Sequence, residues 1–210
     1  MPNTSDIQPF NATCGGGLVL NKDVYDMQPG EALQLINFEP STEGGYRRLN
    51  GTTKYNSTIV PQVSLANERV QMSAIFNDKI IVARGGTVSY GGTSGSWTSL
   101  ATSQGATHTY DFDKFNFNGT SKIIIATGEA AAFTVDSSFN VDVINATGGG
   151  TAPTNPKFVK TFANHVFYGG MSNSTHSILF SVPFSEDNFT SGSGAGEIKV
   201  GDVVTGLKVF

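Results

Sequence analysis

Three degenerate repeats constrain the fold of this chain more than any other feature of its sequence. Each repeat opens with a strand-like run that ends in a phenylalanine, at Phe76, Phe117 and Phe162. A short turn follows, and then an apolar run that reads IIVA, IIIA and VFYG in the three repeats. The repeats start about forty to fifty residues apart, which is the period of four-stranded propeller blades. The sequence therefore predicts an all-β fold of β-propeller-like repeats.

Each repeat has room for four antiparallel strands. After the apolar run, a glycine-containing link leads to a third strand, TVSY, AAAFTV or SILFSV, and a fourth segment closes the unit around Trp97, residues 141–144 or Phe189. One four-stranded blade cannot bury both of its faces alone, so neighbouring blades must stack to complete a core. We expect this repeat domain to span residues 61–210, with units at about 70–105, 110–147 and 157–200.

The last residues resemble the opening of a further unit. Leu207, Val209 and Phe210 stand where the earlier repeats have their first strand, so we expect the next unit to start at 203–210. Three blades do not close a ring. The chain is therefore expected to be the N-terminal portion of a longer propeller, unless the repeats belong to another β architecture.

Residues 1–60 differ in composition from the repeats and predict an extended N-terminal arm followed by a GGYRR segment. Residues 1–17 are polar and end in three glycines, a composition that buries too little apolar surface to order itself. In PGEALQLINFEP, a helical turn and a strand are both open. In either case we expect Leu33, Ile36 and Phe38 to face a core.

Composition limits the classes of function. A content of 38% hydrophobic and 14% charged residues, with 25 glycines, favours strands and turns over helices. A net charge of -4 argues against sequence-specific nucleic-acid binding, which needs a basic face. Cys14 is the single cysteine, so it can form neither an internal disulfide nor a cysteine-based metal site.

No catalytic motif emerges from the sequence. Glu186 and Asp187 are adjacent, so in a strand they would point to opposite faces and could not form a glycosidase pair, and we expect a solvated turn there. SGSGAG lacks the third glycine of a dinucleotide-binding loop, and a strand is predicted to follow it. We therefore expect no enzyme activity, no catalytic residue and no cofactor.

Metal binding is not predicted either. The histidines His108, His165 and His176 lack the spacing of a zinc site. The stretch DFDKFNFNG has alternating oxygen ligands but a lysine where a calcium loop needs an aspartate. We interpret it as a strand that alternates Phe inward with polar residues outward, with Phe112, Phe115 and Phe117 in the core.

The block from Gly15 to Tyr55, GGGLVLNKDVYDMQPGEALQLINFEPSTEGGYRRLNGTTKY, resembles the N-terminal signature of structural proteins in tailed bacteriophages. LFSVPF and DVVTGLKVF resemble their propeller-like repeats. Members of this family are similar to tail hub, nozzle or neck proteins, which form rings near the portal and adaptor. The resemblance implies a non-enzymatic virion component of the tail or neck, whose partners are copies of itself, the portal or adaptor and other tail proteins. This chain departs from many relatives in having Leu-Asn-Gly after the arginine pair.

Within GGYRR, three residues form a possible subunit interface: Tyr46, Arg47 and Arg48. Tyr46 can bury its ring while its hydroxyl reaches a polar partner. The two arginines alternate along a strand, so one can pair with an acidic residue nearby while the other contacts a neighbouring subunit. The alternative, in which both arginines only tie the arm to the first blade, is equally open.

Two other functions stay open. One is a carbohydrate-binding or depolymerising tail module, which would call for aromatic platforms, although Trp97 is the single tryptophan. The other is an unrelated β-propeller interaction domain. The N-terminus has no basic and apolar leader pattern and no window predicts a membrane span, so we expect synthesis in the bacterial host cytoplasm before assembly into the virion.

Overall fold

The computed structural model describes residues 15–41, 45–63 and 69–210. Residues 1–14, which hold Cys14 and most of the predicted arm, and Gly44 of the GGYRR segment lie outside this range. Two compact units are present, Met1–Lys54 and Tyr55–Phe210. The described residues contain strands and short 3₁₀ turns but no α-helix, which confirms the all-β prediction. None of the described segments contains a helix with the length and apolar character needed to cross a membrane.

The N-terminal unit contains two small sheets. A parallel pair joins β1 (Gly17–Leu18) to β2 (Glu31–Ala32), and an antiparallel pair joins β3 (Phe38–Pro40) to β4 (Tyr46–Arg48). The expected core position of Leu33, Ile36 and Phe38 is wrong, because these side chains are 43%, 63% and 47% exposed. None of the described residues in this unit is buried, since a two-stranded pair has no second layer of its own to cover its apolar side chains.

The C-terminal unit contains three four-stranded antiparallel sheets, each built from consecutive strands. The first sheet comprises β5 (Val70–Phe76), β6 (Lys79–Arg84), β7 (Thr87–Gly91) and β8 (Thr98–Ala101). The second comprises β9 (Asp111–Phe117), β10 (Thr120–Ala126), β11 (Phe133–Asp136) and β12 (Val141–Val143). The third comprises β13 (Phe158–Phe162), β14 (His165–Met171), β15 (Ser174–Phe180) and β16 (Gly196–Lys199).

The first hairpin of every sheet turns in the same way. In each, the phenylalanine that marks the repeat pairs with the residue three positions later, which leaves a two-residue loop. Both loop residues have positive φ, the signature of a type I′ turn, whose twist matches that of the flanking strands. The loops are Asn77-Asp78 (φ 45° and 58°), Asn118-Gly119 (50° and 93°) and Ala163-Asn164 (48° and 67°).

The sheets stack face to face in sequence order. One hydrophobic cluster joins the first and second sheets, and another joins the second and third. We call the face that a sheet turns toward the next sheet its front face, and the opposite one its back face. In the third sheet, the back face packs on the second sheet and the front face is the other one. Neighbouring residues of β10 divide between the clusters, since Ile123 and Ile125 enter the first and Ile124 and Ala126 the second. Such a strand, buried on both faces, explains the continuous apolar run IIIA.

Two details of the repeat prediction are corrected. The fourth strand of the third repeat is Gly196–Lys199 rather than a segment around Phe189, which lies in the preceding connection and packs at 5.9 Å from the ring of Tyr168. The strand β9 does not put all its phenylalanines on one side. Phe112 packs on the first cluster, while Phe115 and Phe117 belong to the second, because side chains alternate across a strand.

The expected first strand of a further unit is not formed, because residues 203–210 follow the third sheet without pairing as a strand. The backbone N–H of Val204 donates to the carbonyl of Thr175 at 2.9 Å. The side chains of Val204 and Leu207 lie over Gly169 of β14, so close that a Cβ at Gly169 would stand 3.0 Å and 3.3 Å from them. This segment therefore lies against the front face of the third sheet.

Candidate assembly surfaces

The GGYRR hairpin holds two of the three predicted interface residues in local contacts. The Tyr46 hydroxyl donates to the carbonyl of Gly30 at 3.2 Å. Arg47 faces Glu39 across the β3–β4 pair, and its Nε donates to Glu39 Oε1 at 2.5 Å. The Arg47–Glu39 pair is solvent-exposed, so it stabilises the hairpin by no more than about 1 kcal/mol.

Arg48 points away from that ion pair, because neighbouring residues of a strand alternate. It pairs in register with Phe38 and is exposed, and no described residue forms an ion pair with it. It lines a pocket of about 550 Å³ together with Asn37, Leu49 and residues 50–52. Of the three candidates, Arg48 is the one whose side chain is exposed and forms no hydrogen bond or ion pair with another described residue.

At the junction of the first and second sheets, Glu129 accepts hydrogen bonds from two backbone N–H groups that lie outside the strands. Glu129 Oε1 accepts from the backbone N–H groups of Thr107 and His108, at 2.8 Å and 3.0 Å. Tyr110 donates to the carbonyl of Gly105 at 2.5 Å. Burial, and secondly the carboxylate of Glu129, raises the pKa of Tyr110 well above its usual range. Tyr110 therefore stays protonated and serves as a hydrogen-bond donor.

Two aspartates of β9 bind the neighbouring strand β13 rather than a cation. Asp111 accepts from the backbone N–H of Val159 at 3.1 Å and from Lys160 Nζ at 2.6 Å. Asp113 accepts from both the backbone N–H and the hydroxyl of Thr161, at 2.7 Å and 2.8 Å. The expectation that the polar residues of β9 face outward is thus wrong for both. Their oxygens join the second sheet to the third.

A buried ion pair crosses the same junction. Lys122 of β10 donates to Glu186, which lies in the connection between β15 and β16 and is only 9% exposed. The predicted solvated turn at Glu186 is wrong, because this side chain is buried where it pairs with Lys122 of the second sheet. The carbonyl of Glu186 accepts from the hydroxyl of Tyr168 at 2.9 Å. Burial chiefly, with the carboxylates of Glu186 and Asp187, raises the pKa of Tyr168 well above its usual range.

The front face of the third sheet is apolar and partly open. Phe162, Phe167, Ile178 and Ile198 line a pocket of about 300 Å³ there, and residues 207–210 border it. Phe162 is 57% exposed, whereas the corresponding Phe76 and Phe117 are 5% and 6% exposed. An exposed apolar face of this kind is a candidate for contact with another protein surface.

The described residues contain no cluster of His, Cys, Asp or Glu able to hold a metal ion. The three histidines are dispersed, as in the sequence-based interpretation: His165 Nδ1 lies 2.5 Å from the carbonyl of Ser181, and His176 contacts Thr175. In SGSGAG, a 3₁₀ turn (Ser191–Ser193) precedes β16, so no helix follows the glycines. The chemistry that these residues offer is hydrogen bonding within and between sheets.

Comparison with known proteins gives no assignment. No protein-family model matches the sequence, and no curated protein matches it. The surfaces described above, and the resemblance of residues 15–55 to a phage tail signature, are the basis for a functional hypothesis.

Proposed function

We propose that this chain is a structural component of a bacteriophage virion, located in the tail or neck, where it serves as a β-repeat scaffold for tail assembly and genome passage. In this proposal the three stacked sheets are consecutive blades of a propeller-like array, and residues 203–210 open a fourth. The protein is not an enzyme, and its partners are copies of itself and other tail or portal-adjacent proteins.

One observation supports a scaffold role above all. Two ion pairs of the described repeats join the second sheet to the third: Lys122–Glu186, whose glutamate is buried, and Lys160–Asp111, whose side chains are about a quarter exposed. The surface left open, the front face of the third sheet, is lined mainly by apolar side chains. Such a division of polar and apolar groups suits a protein that stacks on others.

Arg48 supports an assembly role for the N-terminal unit. Its neighbour Arg47 is paired within the hairpin, whereas Arg48 is exposed and its guanidinium carries five hydrogen-bond donors that no other described residue engages. Arginine is favoured at protein interfaces because its planar group forms forked hydrogen bonds with carboxylates. We therefore assign the possible subunit contact to Arg48, with Tyr46 and Arg47 shaping the hairpin that carries it.

The location is tested on purified phage particles that carry this protein. Antibody labelling followed by electron microscopy is expected to mark the tail vertex, and peptide mass spectrometry is expected to find the chain in washed particles. The same particles treated with an antibody against an unrelated protein serve as the labelling control. Absence from the particles, or labelling away from the tail vertex, would contradict the proposal.

A further inference from the structure

The chain contains the tripeptide Asn-Gly-Thr twice, at residues 50–52 and 118–120. In an Asn-Gly pair, the glycine nitrogen can attack the asparagine side-chain amide, because glycine has no Cβ to crowd the approach and adopts a wide range of backbone angles. All six residues are exposed, so neither the tripeptide sequence nor access to water distinguishes the two sites. A difference in their chemistry must therefore come from the fold.

The second tripeptide is held in a hairpin. Asn118 and Gly119 form the type I′ loop between β9 and β10, and Phe117 pairs with Thr120 directly beside it. The backbone N–H of Gly119 donates to Asn116 Oδ1 at 2.6 Å. The nitrogen must lose this proton before it can attack, and a hydrogen-bonded amide proton is released only when the structure opens locally. The hairpin therefore protects Asn118.

The first tripeptide has no such restraint. Asn50 and Gly51 follow β4 and lie outside any strand or turn. Among the described residues, none accepts a hydrogen bond from the backbone N–H of Gly51 and none binds the side-chain amide of Asn50. A Cβ built on Gly51 would meet nothing within 4 Å, so no neighbouring group packs against this position. The nitrogen of Gly51 is free to lose its proton and to approach Asn50.

We propose that Asn50 is a site of spontaneous deamidation, which places a carboxylate in the same pocket as Arg48. A base from the solvent removes the Gly51 amide proton, and the nitrogen forms a bond to Asn50 Cγ. The Cγ–Nδ2 bond breaks, and the amide nitrogen takes up protons from water and leaves as ammonia. Water then opens the cyclic imide at either of its two carbonyls, which gives aspartate or isoaspartate. One water is consumed for each ammonia released, and nothing is oxidised or reduced.

The product changes the charge around Arg48. Of the residues that line the pocket of about 550 Å³, Arg48 is the one that carries a charge. A carboxylate at position 50 adds an opposite charge to the same pocket, and carboxylates are preferred partners of guanidinium groups. This consequence rests on the assembly role proposed for Arg48. Deamidation is expected to weaken that contact as the protein ages, because the new carboxylate competes with the partner's acidic groups.

The site is tested on the purified full-length protein, incubated in mildly alkaline buffer at physiological temperature. Peptide mass spectrometry measures the fraction of aspartate and isoaspartate at each tripeptide over time. Conversion at Asn50 is expected to be about tenfold or more faster than at Asn118. Equal rates at the two positions, or faster conversion at Asn118, would overturn the proposal.

Two variants test the physical reason for the difference. Gly51→Ala adds a Cβ where the structure has open space, so it is expected to slow conversion at Asn50 about tenfold while the melting temperature stays the same. Asn116→Ala removes the acceptor of the Gly119 N–H, so conversion at Asn118 should rise while conversion at Asn50 does not change. An unchanged rate at Asn50 in Gly51→Ala would contradict attack by the backbone nitrogen.

The consequence for Arg48 is tested separately with Asn50→Asp, which reproduces one product. It is expected to weaken assembly by about threefold to tenfold. Asn118→Asp is the matched control, because it adds the same charge at the other tripeptide, and assembly should be unchanged. If Arg48→Ala weakened assembly and Asn50→Asp did not, the carboxylate would not compete at Arg48. If Arg48→Ala left assembly intact, the proposed contact would fail, whereas the conversion rates would still decide whether Asn50 is the site.

Discussion

At the scale of single residues, Lys122 and Glu186 form the less exposed of the two described ion pairs between the second and third sheets. Their side chains are 21% and 11% exposed, so both charges are largely removed from water. The attraction between buried charges is offset by the cost of desolvating them, but removal of one partner leaves the other uncompensated. The pair is therefore a strong determinant of how the second and third sheets fit together.

We predict that Lys122→Met lowers the free energy of unfolding by about 2 to 3 kcal/mol, because it leaves the Glu186 carboxylate buried without a counter-charge. Adding Glu186→Leu is expected to restore most of this loss. Urea denaturation of the two single variants and the double variant measures the coupling. Additive losses would show that the two side chains do not interact.

Arg48 belongs to the same scale. Replacement by alanine is expected to weaken assembly of the protein into rings or onto particles by about tenfold or more, as for other interface arginines, while the melting temperature stays the same. Arg47→Ala is the matched control, since it breaks a hairpin ion pair that contributes no more than about 1 kcal/mol. Assembly can be followed by analytical ultracentrifugation. If Arg48→Ala left assembly intact and only lowered the melting temperature, the hairpin would have a structural role alone.

At the scale of elements, the three equivalent turns differ in how well their residues suit the backbone. Asn77 and Asn118 occupy the first loop position of their turns, whereas the third turn has Ala163 there at φ 48°. Asparagine tolerates the left-handed region better than alanine does. The third hairpin therefore has backbone strain at Ala163 that an asparagine would relieve.

We predict that Ala163→Asn stabilises the protein by about 0.5 to 1 kcal/mol. The reciprocal change Asn118→Ala, at the equivalent position, should destabilise it by a similar amount. Both changes are measured as shifts of the urea midpoint, with the dependence of the unfolding free energy on urea concentration unchanged. Equal stability of all three proteins would indicate that the turn conformation carries no strain at these positions.

The connection that carries Phe139 depends on a carboxylate. Asp136 Oδ1 accepts from the backbone N–H groups of Ser138 and Asn140 at 2.8 Å and 2.9 Å, and Oδ2 accepts from Asn140 Nδ2 at 2.9 Å. The side-chain hydrogen bond from Asn140, and secondly the backbone ones, lowers the pKa of Asp136. A group with a lowered folded-state pKa stabilises the fold above its ordinary pKa, and this contribution is lost as the pH falls through the lowered value.

Acidification below about pH 4 is therefore expected to loosen this hairpin. The protection of the amides of residues 136–140 against hydrogen exchange, relative to the intrinsic rate at each pH, should fall in that range. The protection of β10 should fall only with global unfolding. In Asp136→Ala, exchange of the hairpin is expected to be fast at neutral pH and to lose this pH dependence. A pH profile identical to that of the unsubstituted protein would assign the effect to other carboxylates.

At the scale of the whole molecule, the two compact units differ in what holds them together. Both hydrophobic clusters lie within Tyr55–Phe210, whereas the described residues before Tyr55 include none that is buried. Burial of apolar side chains is the main source of folding free energy. The repeat unit should therefore carry the cooperative unfolding transition.

A protein consisting of residues 55–210 is expected to fold alone and to melt within about 2 °C of the full chain. Calorimetry and near-ultraviolet circular dichroism of the two proteins provide the comparison. A loss of cooperative melting in the shorter protein would show that residues 1–54 are needed for the repeat unit to fold. Retention of fold combined with loss of particle assembly would agree with the role proposed for Arg48.

Much of the fold follows from local sequence. The repeat period, the antiparallel hairpins and their turns were predictable, because apolar runs and turn residues act over a few positions. The fourth strand of the third repeat was misplaced, since Phe189 resembles a strand residue although its ring packs on Tyr168. Local pattern does not distinguish an aromatic side chain of a strand from one that a connection inserts into the core.

The sequence by itself determined an all-β chain of four-stranded units and the alternation that puts Arg47 and Arg48 on opposite sides of a strand, since both depend on local patterns. Only the tertiary structure decided which phenylalanines are covered, that Asp111 and Asp113 bind the next sheet, and that Lys122 meets Glu186, 64 positions away. Those contacts arise when whole faces stack, and stacking brings together residues that no local pattern links. The exposure of Phe162 is a property of the same stacking, because its equivalents are buried only where a following sheet covers them.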